Sequence, residues 1–288
     1  MDTKVSLKFI RSDKKEFVID GTDWKIPSDS GLSGIGMFEN DITVVDNATG
    51  DGGLITSDRI AQKDRTITAI SVNPNLNDVL RREVVSFFNS KFVYKVYVTY
   101  MGLTRWFEGK IYKFSLPNGN VYRRMTLSVT FLCPNPFLKS YEDFGKNIAS
   151  VVPMAGFPYL CRKNTGVTAG RFNFAKMVVL ENDGDVETYC KAVFKANGAV
   201  KNPKLSIKNS YVRVIDTMKA GDVIIMDFTK SPPTIEKNGS NYIGHCDRAS
   251  AFDEMILNVG DTEISFDADD GSNQLEVSIY YNKLYGAM

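Results

Sequence analysis

The chain has 288 residues, 43% of them hydrophobic, enough to bury a large core and long enough to favour two domains over one. Lys plus Arg number 35 and Asp plus Glu 34, so a net charge of +1 provides no global field to hold nucleic acid or an anionic membrane. The opening MDTKVSLKFI lacks the pattern of a secretory signal, and the longest apolar run, 148–161, is too short to span a bilayer and is broken by Pro153 and Pro158.

Taken in chain order, the first elements read as strands. Val5, Leu7 and Phe9 alternate with polar residues, and Phe17 and Ile19 repeat the pattern after a charged turn. Glycines 31, 34 and 36 sit in GLSGIGMFEN, where the third glycine of a dinucleotide fingerprint is replaced by Glu39 and no βαβ unit surrounds it, so a flexible loop is expected. Arg65 to Val72 places Ile67, Ala69 and Ser71 on one face and Thr66, Thr68, Ile70 and Val72 on the other.

One segment changes period. Leu76, Val79, Leu80, Val84, Phe87 and Phe88 recur at three- and four-residue spacing, which predicts a single amphipathic helix over about 75–90, capped by Asn75 or Asn77. Three long strands follow, Phe92–Tyr100, Arg105–Leu116 and Asn120–Leu132, separated by Met101-Gly102 and by Pro117-Asn118-Gly119. Residues 1–137 thus read as a compact β domain ending at Cys133-Pro134-Asn135-Pro136.

The Pro- and Gly-bearing residues 138–173 read as a connector. From 174 to 288 come short strands at close intervals, with Lys237-Asn238-Gly239 as a tight turn, a spacing that fits a β-sandwich.

Reactive chemistry is sparse. His245 is the only histidine, which rules out any site needing two imidazoles, and its neighbour Cys246 would point to the opposite face of an extended segment. Cys133, Cys161, Cys190 and Cys246 form no CxxC pair and read as buried free thiols. Asp267, Asp269, Asp270 and Gly271 miss the EF-hand spacing, since positions six and twelve hold Ser272 and Ser278, and read as an acidic turn. No catalytic residue, metal or cofactor is expected.

Charge is distributed unevenly. Glu39 to Asp58 holds five acidic residues and no Lys or Arg, whereas Asn89 to Arg124 holds Lys91, Lys95, Arg105, Lys110, Lys113, Arg123 and Arg124 against Glu108 alone. Two solvated faces are the plain reading, since charge runs usually serve solubility; complementary subunit surfaces are a sharper one, with Asp41, Asp46 and Asp51 of one copy against Lys91, Lys95, Arg105 and Lys110 of the next and with Trp106 and Phe107 as apolar anchors. A third reading places the acidic stretch on a channel wall, where it keeps phosphates from adhering.

The order of elements resembles the distal tail protein family of siphophages. The resemblance is carried by Asp64-Arg65-Thr66-Ile67, the single helix, Trp106-Phe107-Glu108-Gly109, and the ending Thr130-Phe131-Leu132-Cys133-Pro134-Asn135-Pro136-Phe137. In the second half it is carried by Gly221-Asp222-Val223-Ile224, Glu236-Lys237-Asn238-Gly239 and Tyr280-Tyr281-Asn282-Lys283-Leu284-Tyr285-Gly286. The family implies a mainly β fold, with an N-terminal ring-forming domain and a C-terminal galectin-like β-sandwich.

The same resemblance implies a hexameric, non-enzymatic hub of a phage or phage-like tail tip or baseplate. Such a hub contacts the tail tube protein and adhesin proteins, DNA passes through its channel without specific binding, and it enters no membrane. It is made in the host cytoplasm and ends in the virion. A carbohydrate-binding, lectin-like adhesion module is the alternative; a polysaccharide hydrolase would need two carboxylates across a cleft.

Overall fold

A strict polar–apolar alternation builds the first half of the molecule, described here from a computed structural model that covers residues 5–27, 31–36, 40–117, 122–141, 144–153, 170–174 and 177–288, with 144–153 and 170–174 as backbone. β1 (Ser6–Arg11) buries Leu7, Phe9 and Arg11, and β2 (Glu16–Ile19) buries Phe17 and Ile19, with Phe9 opposite Phe17. β3 (Trp24–Lys25), β4 (Leu32–Ser33), β5 (Asn40–Asp46), β6 (Gly53–Ile60) and β7 (Lys63–Ser71) follow. In β7 the buried residues are Ile67, Ala69 and Ser71, one of the two faces that the sequence separates, together with Arg65.

Helix α1 (Asn77–Phe87) comes next, then β8 (Val93–Tyr100), β9 (Leu103–Ser115), β10 (Thr126–Cys133) and β11 (Leu138–Ser140). Met101 and Gly102, at φ +50° and +83°, form the two-residue turn that joins β8 to β9. The main sheet runs β2-β1-β8-β9-β10-β7-β3, a nearly closed antiparallel barrel filled from inside by Leu7, Phe9, Val96, Phe107, Val129 and Phe131.

The helix closes this barrel, although not with the whole stripe that its sequence suggests. Leu80, Val84 and Phe87 are buried and Phe88 follows them inward, whereas Leu76 and Val79 are 43% and 56% exposed. Phe87 stacks on Phe17 at 5.3 Å and Phe88 meets Phe9 edge-on at 5.4 Å; such pairs contribute about 0.5–1.5 kcal/mol each beyond the area they bury.

Capping also departs from the sequence reading. Asn73 accepts from the Asn75 N–H at the start of a short 3-10 turn, while Asn77 turns inward, accepting from Ser71 and donating to the Arg123 carbonyl. At the other end Arg11 donates to the carbonyls of Ser86 and Phe87, satisfying groups that a helix C-terminus leaves open. Asp13 holds that guanidinium through two bonds of 2.8 and 2.7 Å, and its own carboxyl is lowered to about 2 by them.

The glycine-bearing segment after Pro27 is not a free loop. Leu32 and Ser33 pair with Ile67 and Thr66, Ile35 is buried, and a Cβ on Gly34, at φ +77°, would stand 2.3 Å from the Asp64 carbonyl. The Gly34 carbonyl accepts from the fully buried Arg65, whose other arm reaches the Pro136 carbonyl at 2.5 Å and whose plane lies over Phe107.

The second unit comprises β12 (Phe144–Pro153), β13 (Gly170–Phe174), β14 (Met177–Asn182), β15 (Thr188–Ala196), β16 (Val200–Lys201), β17 (Lys204–Ile207), β18 (Ser210–Arg213), β19 (Thr217–Met218), β20 (Val223–Asp227), β21 (Thr234–Lys237), β22 (Ser240–Asn241), β23 (Ile256–Leu257), β24 (Gly260–Asp267) and β25 (Leu275–Tyr281). One sheet runs β13-β12-β25-β15-β20-β21-β22 and the other β14-β24-β17-β18. Their inner faces share one core, with Phe194, Met226 and Ile279 from the first and Leu180, Leu205 and Phe266 from the second, so this unit is a β-sandwich. Asn238 and Gly239, at φ +50° and +80°, make the β21–β22 turn as expected.

The division between the units departs from the sequence reading in two ways: residues 138–173, expected as a connector, contribute β11 to the first unit and β12 and β13 to the sandwich, and the last residues return to the first unit. The first comprises Met1–Tyr141 together with Leu284–Met288, and the second is Glu142–Lys283. A last strand, β26 (Leu284–Tyr285), pairs with β11 in the first unit, so the sandwich is an insertion rather than an appended tail.

Candidate assembly surfaces

Most of the acidic stretch is a two-stranded antiparallel ribbon. β5 and β6 pair from Asn40 opposite Ile60 to Asp46 opposite Gly53, and neither pairs with another strand among the described residues. The signal was present in the sequence: Ile42–Val45 and Leu54–Thr56 are β-branched or apolar runs flanking a turn with three glycines.

Its side chains are nearly all exposed, including apolar ones. Val44 faces Ile55 and Val45 faces Leu54 across the strands, so each side of the ribbon carries an apolar pair, with exposures from 53% to 67%. An isolated two-stranded hairpin is marginal in water, and exposed apolar strand pairs invite cover.

The acidic residues divide into two groups. Asp41 is held by Arg59 on the opposite strand at 3.1 Å, and Asp58 accepts from Asn40. Asp46 and Asp51 lie at the turn end of the ribbon and are exposed. Glu39 lies outside the described residues.

The basic partners expected from the sequence also divide. Lys91, Lys95 and Lys110 are exposed, with Lys95 opposite Ile10 on one side and Glu108 on the other. Phe107 is 1% exposed, inside the barrel beneath Arg65, and Trp106 is 7% exposed beneath the ammonium groups of Lys95 and Lys139. Neither is a surface anchor, which corrects the expectation drawn from their sequence position: inward alternation takes Phe107, and β11, pairing Lys139 with Trp106, covers the other.

Arg105 is likewise engaged within its own subunit. It lies over the Tyr285 ring at 3.7 Å and donates to the Ala287 carbonyl, while the Met288 N–H reaches the Ile35 carbonyl. Residues 284–288 thereby fasten three parts of the first unit: β9, β11 and the Gly34–Ile35 segment.

Candidate reactive groups in the second unit have structural roles. His245 stacks flat on Tyr242, centroids 3.9 Å apart, and Cys246 is pushed up to about 11 by burial, so the pair does not make an activated thiolate. Burial pushes Cys190 up to about 12 and also raises Cys133; Cys161 lies outside the described residues. Asp269 pairs with Arg213 at 2.5 Å and accepts from Asn202, and Gly271, at φ +72°, passes so near Ala199 that a Cβ would not fit.

Lys237 joins Asp216 at 2.5 Å and Asp222 at 3.2 Å beneath Tyr242, and Asp222 is lowered to about 2 by the Lys219 backbone N–H and the Asn238 amide. Among the described residues no cluster of His, Cys, Asp or Glu is arranged to hold a metal, and no helix is long and apolar enough to cross a membrane.

Comparison with known proteins adds a second line. Residues 183–285 match the family described as siphovirus-type tail component, C-terminal domain. No curated protein is significantly similar in sequence. SPP1 Dit, described as a paradigm of the hub adsorption apparatus in phages that infect Gram-positive bacteria, is similar in structure with a TM-score of 0.62 at 12% identity, over 96% of this chain and 98% of that one. A chain of the phage P2 baseplate in its activated conformation matches with a TM-score of 0.59 at 11% identity, over the full length of both chains.

Proposed function

We infer that this chain, which carries the siphovirus-type tail component domain over residues 183–285, is a distal tail hub: a structural protein of a phage or phage-like tail tip that joins the tail tube to the host-adhesion apparatus. One observation carries the reading. The barrel with its single helix and the inserted sandwich together follow the fold of SPP1 Dit over 96% of the chain, so the likeness is not confined to one common β module.

Assembly follows from the first unit's surface. A closed ring of identical subunits needs two different complementary faces. The ribbon supplies one, with Asp46 and Asp51 at its tip and exposed apolar pairs along its length. The face bearing Lys91, Lys95 and Lys110 supplies the other. The apolar anchoring that the sequence assigned to Trp106 and Phe107 falls instead to Val44, Val45, Leu54 and Ile55 of the ribbon. Exposed ion pairs contribute only about 0–1 kcal/mol each, so the charges set register and association rate while the apolar pairs supply affinity. Six copies around a channel that passes DNA, bound to tail tube protein above and adhesin proteins below, complete the proposal.

Immunogold labelling of intact particles of the phage or phage-like element that encodes the chain tests the placement. Gold confined to the distal tip supports it; gold along the tube, or on no particle while the protein is abundant in the lysate, contradicts it.

A further inference from the structure

The ribbon makes a geometrical demand that a flat partner does not meet. Val44 lies opposite Ile55 and Val45 opposite Leu54, and because strand side chains alternate, the two apolar pairs point to opposite faces of the ribbon. A flat surface covers one pair and leaves the other in water. Cover for both needs a cleft.

The first unit has such a cleft, of about 1000 Å³, at the root of the same ribbon. Ile60 and Lys63, where the ribbon joins β7, line one part of it, and Leu32 of β4, Leu132 of β10 and Tyr112 of β9 line the rest. Tyr112 is 70% exposed, an aromatic side chain left in solvent beside the buried Ile111. Charge matches as well: Lys110 and Lys113, both exposed, flank Tyr112 on β9, and Lys110 lies opposite Leu132. Asp46 and Asp51 stand at the other end of the match, next to the apolar pairs of the ribbon.

A ribbon is kept from the cleft of its own copy. Val44 and Val45 lie four and five residues beyond Asn40, about 13–17 Å from the root while the ladder holds. The occupant is therefore the ribbon of another copy.

We propose that the ribbon of one copy seats in the ribbon-root cleft of the next. The pairs Val44–Ile55 and Val45–Leu54 are divided between the root and the barrel strands, and Asp46 and Asp51 come beside Lys110 and Lys113. Tyr112 is then the aromatic anchor of the contact, the role that neither Trp106 nor Phe107 takes. The seat rests on the reading of the chain as a ring-forming hub and deepens it, since ribbon and cleft are two unlike faces that repeat from copy to copy.

Disulfide formation between singly substituted full-length chains reads the seat directly. Val44→Cys and Val45→Cys are each mixed with Tyr112→Cys and oxidised with copper phenanthroline, and linked peptides are identified by mass spectrometry. A link between position 112 and position 44 or 45 in such a mixture joins two copies. All three positions are exposed, so the variants should fold as the parent does. Because Val44 and Val45 face opposite ways, one should link to position 112 about fivefold more than the other, and both should exceed links to Val79→Cys, an exposed position outside the cleft. Adding Lys110→Glu and Lys113→Glu to the Tyr112→Cys chain should cut the favoured link about tenfold at low salt and less at high salt. A short bismaleimide repeats the comparison where disulfide geometry is not met.

Equal links from both faces, or links no stronger than those to Val79→Cys, mean a ribbon that collides without a seat, and overturn the proposal. So does the absence of links in a sample that sediments as rings, an outcome that leaves the hub reading standing. A chain that stays monomeric at every concentration and forms no link overturns the hub reading and the seat with it.

Discussion

The guanidinium of Arg105 lies 3.7 Å from the centre of the Tyr285 ring, although the whole inserted sandwich separates the two residues in sequence. Lys139 faces Leu284 beside them, so residues 284–288 complete the edge of the first unit. Truncating Tyr285 to Ala removes the stacking contact, worth about 0.5–2 kcal/mol, and part of the packing over the barrel end. The expected outcome is a loss of about 1–3 kcal/mol in the first unit's stability with the sandwich unchanged. Hydrogen exchange followed by mass spectrometry checks it: protection should fall in β9 and β11 and stay constant in β15 and β25.

Charge reversal tests the ribbon. Because Asp41 is held by Arg59 within its own ribbon, Asp46→Lys and Asp51→Lys should weaken assembly more than Asp41→Lys does. Adding Lys91→Glu, Lys95→Glu and Lys110→Glu should partly restore it. Sedimentation velocity at low and high salt reads both, with the difference shrinking as salt screens the pairs. If instead assembly is untouched and the reversed ribbon retains DNA on a filter, the ribbon lines the channel.

Gly34→Ala should destabilise the first unit by about 1–3 kcal/mol, since φ is +77° and the new methyl group would meet the Asp64 carbonyl at 2.3 Å. Urea unfolding measures it; a change below 0.5 kcal/mol would show that the Leu32–Gly36 segment relaxes freely.

Acid sensitivity has a definite sign. Asp13 and Asp222 both sit at about 2 in the folded protein, below the ordinary 3.8. A depressed carboxyl adds stability that is fully present above its unfolded value and is lost as pH falls through the folded one. Stability should therefore decline between about pH 4 and pH 2, and Asp13→Asn and Asp222→Asn should each flatten that decline when urea midpoints are compared across the range.

Most of the fold can be read from local periodicity. Strands such as β7 and β8 alternate cleanly because one face fills the barrel, and the helix stands out because Leu80, Val84 and Phe87 repeat at helical spacing. What escaped was set by distant partners. Trp106 looks exposed until β11 is placed over it, whereas the burial of Phe107 follows from the alternation of β9 itself, and nothing local in Leu284 or Tyr285 says that they return to the first unit. Leu76 and Val79 fit the apolar stripe yet stay exposed, while the polar Asn77 between them turns inward to Ser71 and the Arg123 carbonyl. The ribbon's β-branched and apolar runs, Ile42–Val45 and Leu54–Thr56, are a local strand signal, but the five acidic residues and the glycines of the same stretch favour a loop.

Mass measurement of the purified protein in solution, with negative-stain imaging of the same sample, tests the hub assignment most directly. The account predicts a species of about six times the 32.2 kDa subunit that images as a six-fold ring with an open centre. A single 32.2 kDa species at every concentration, with no ring on the grid and none formed when tail tube protein is added, would contradict it.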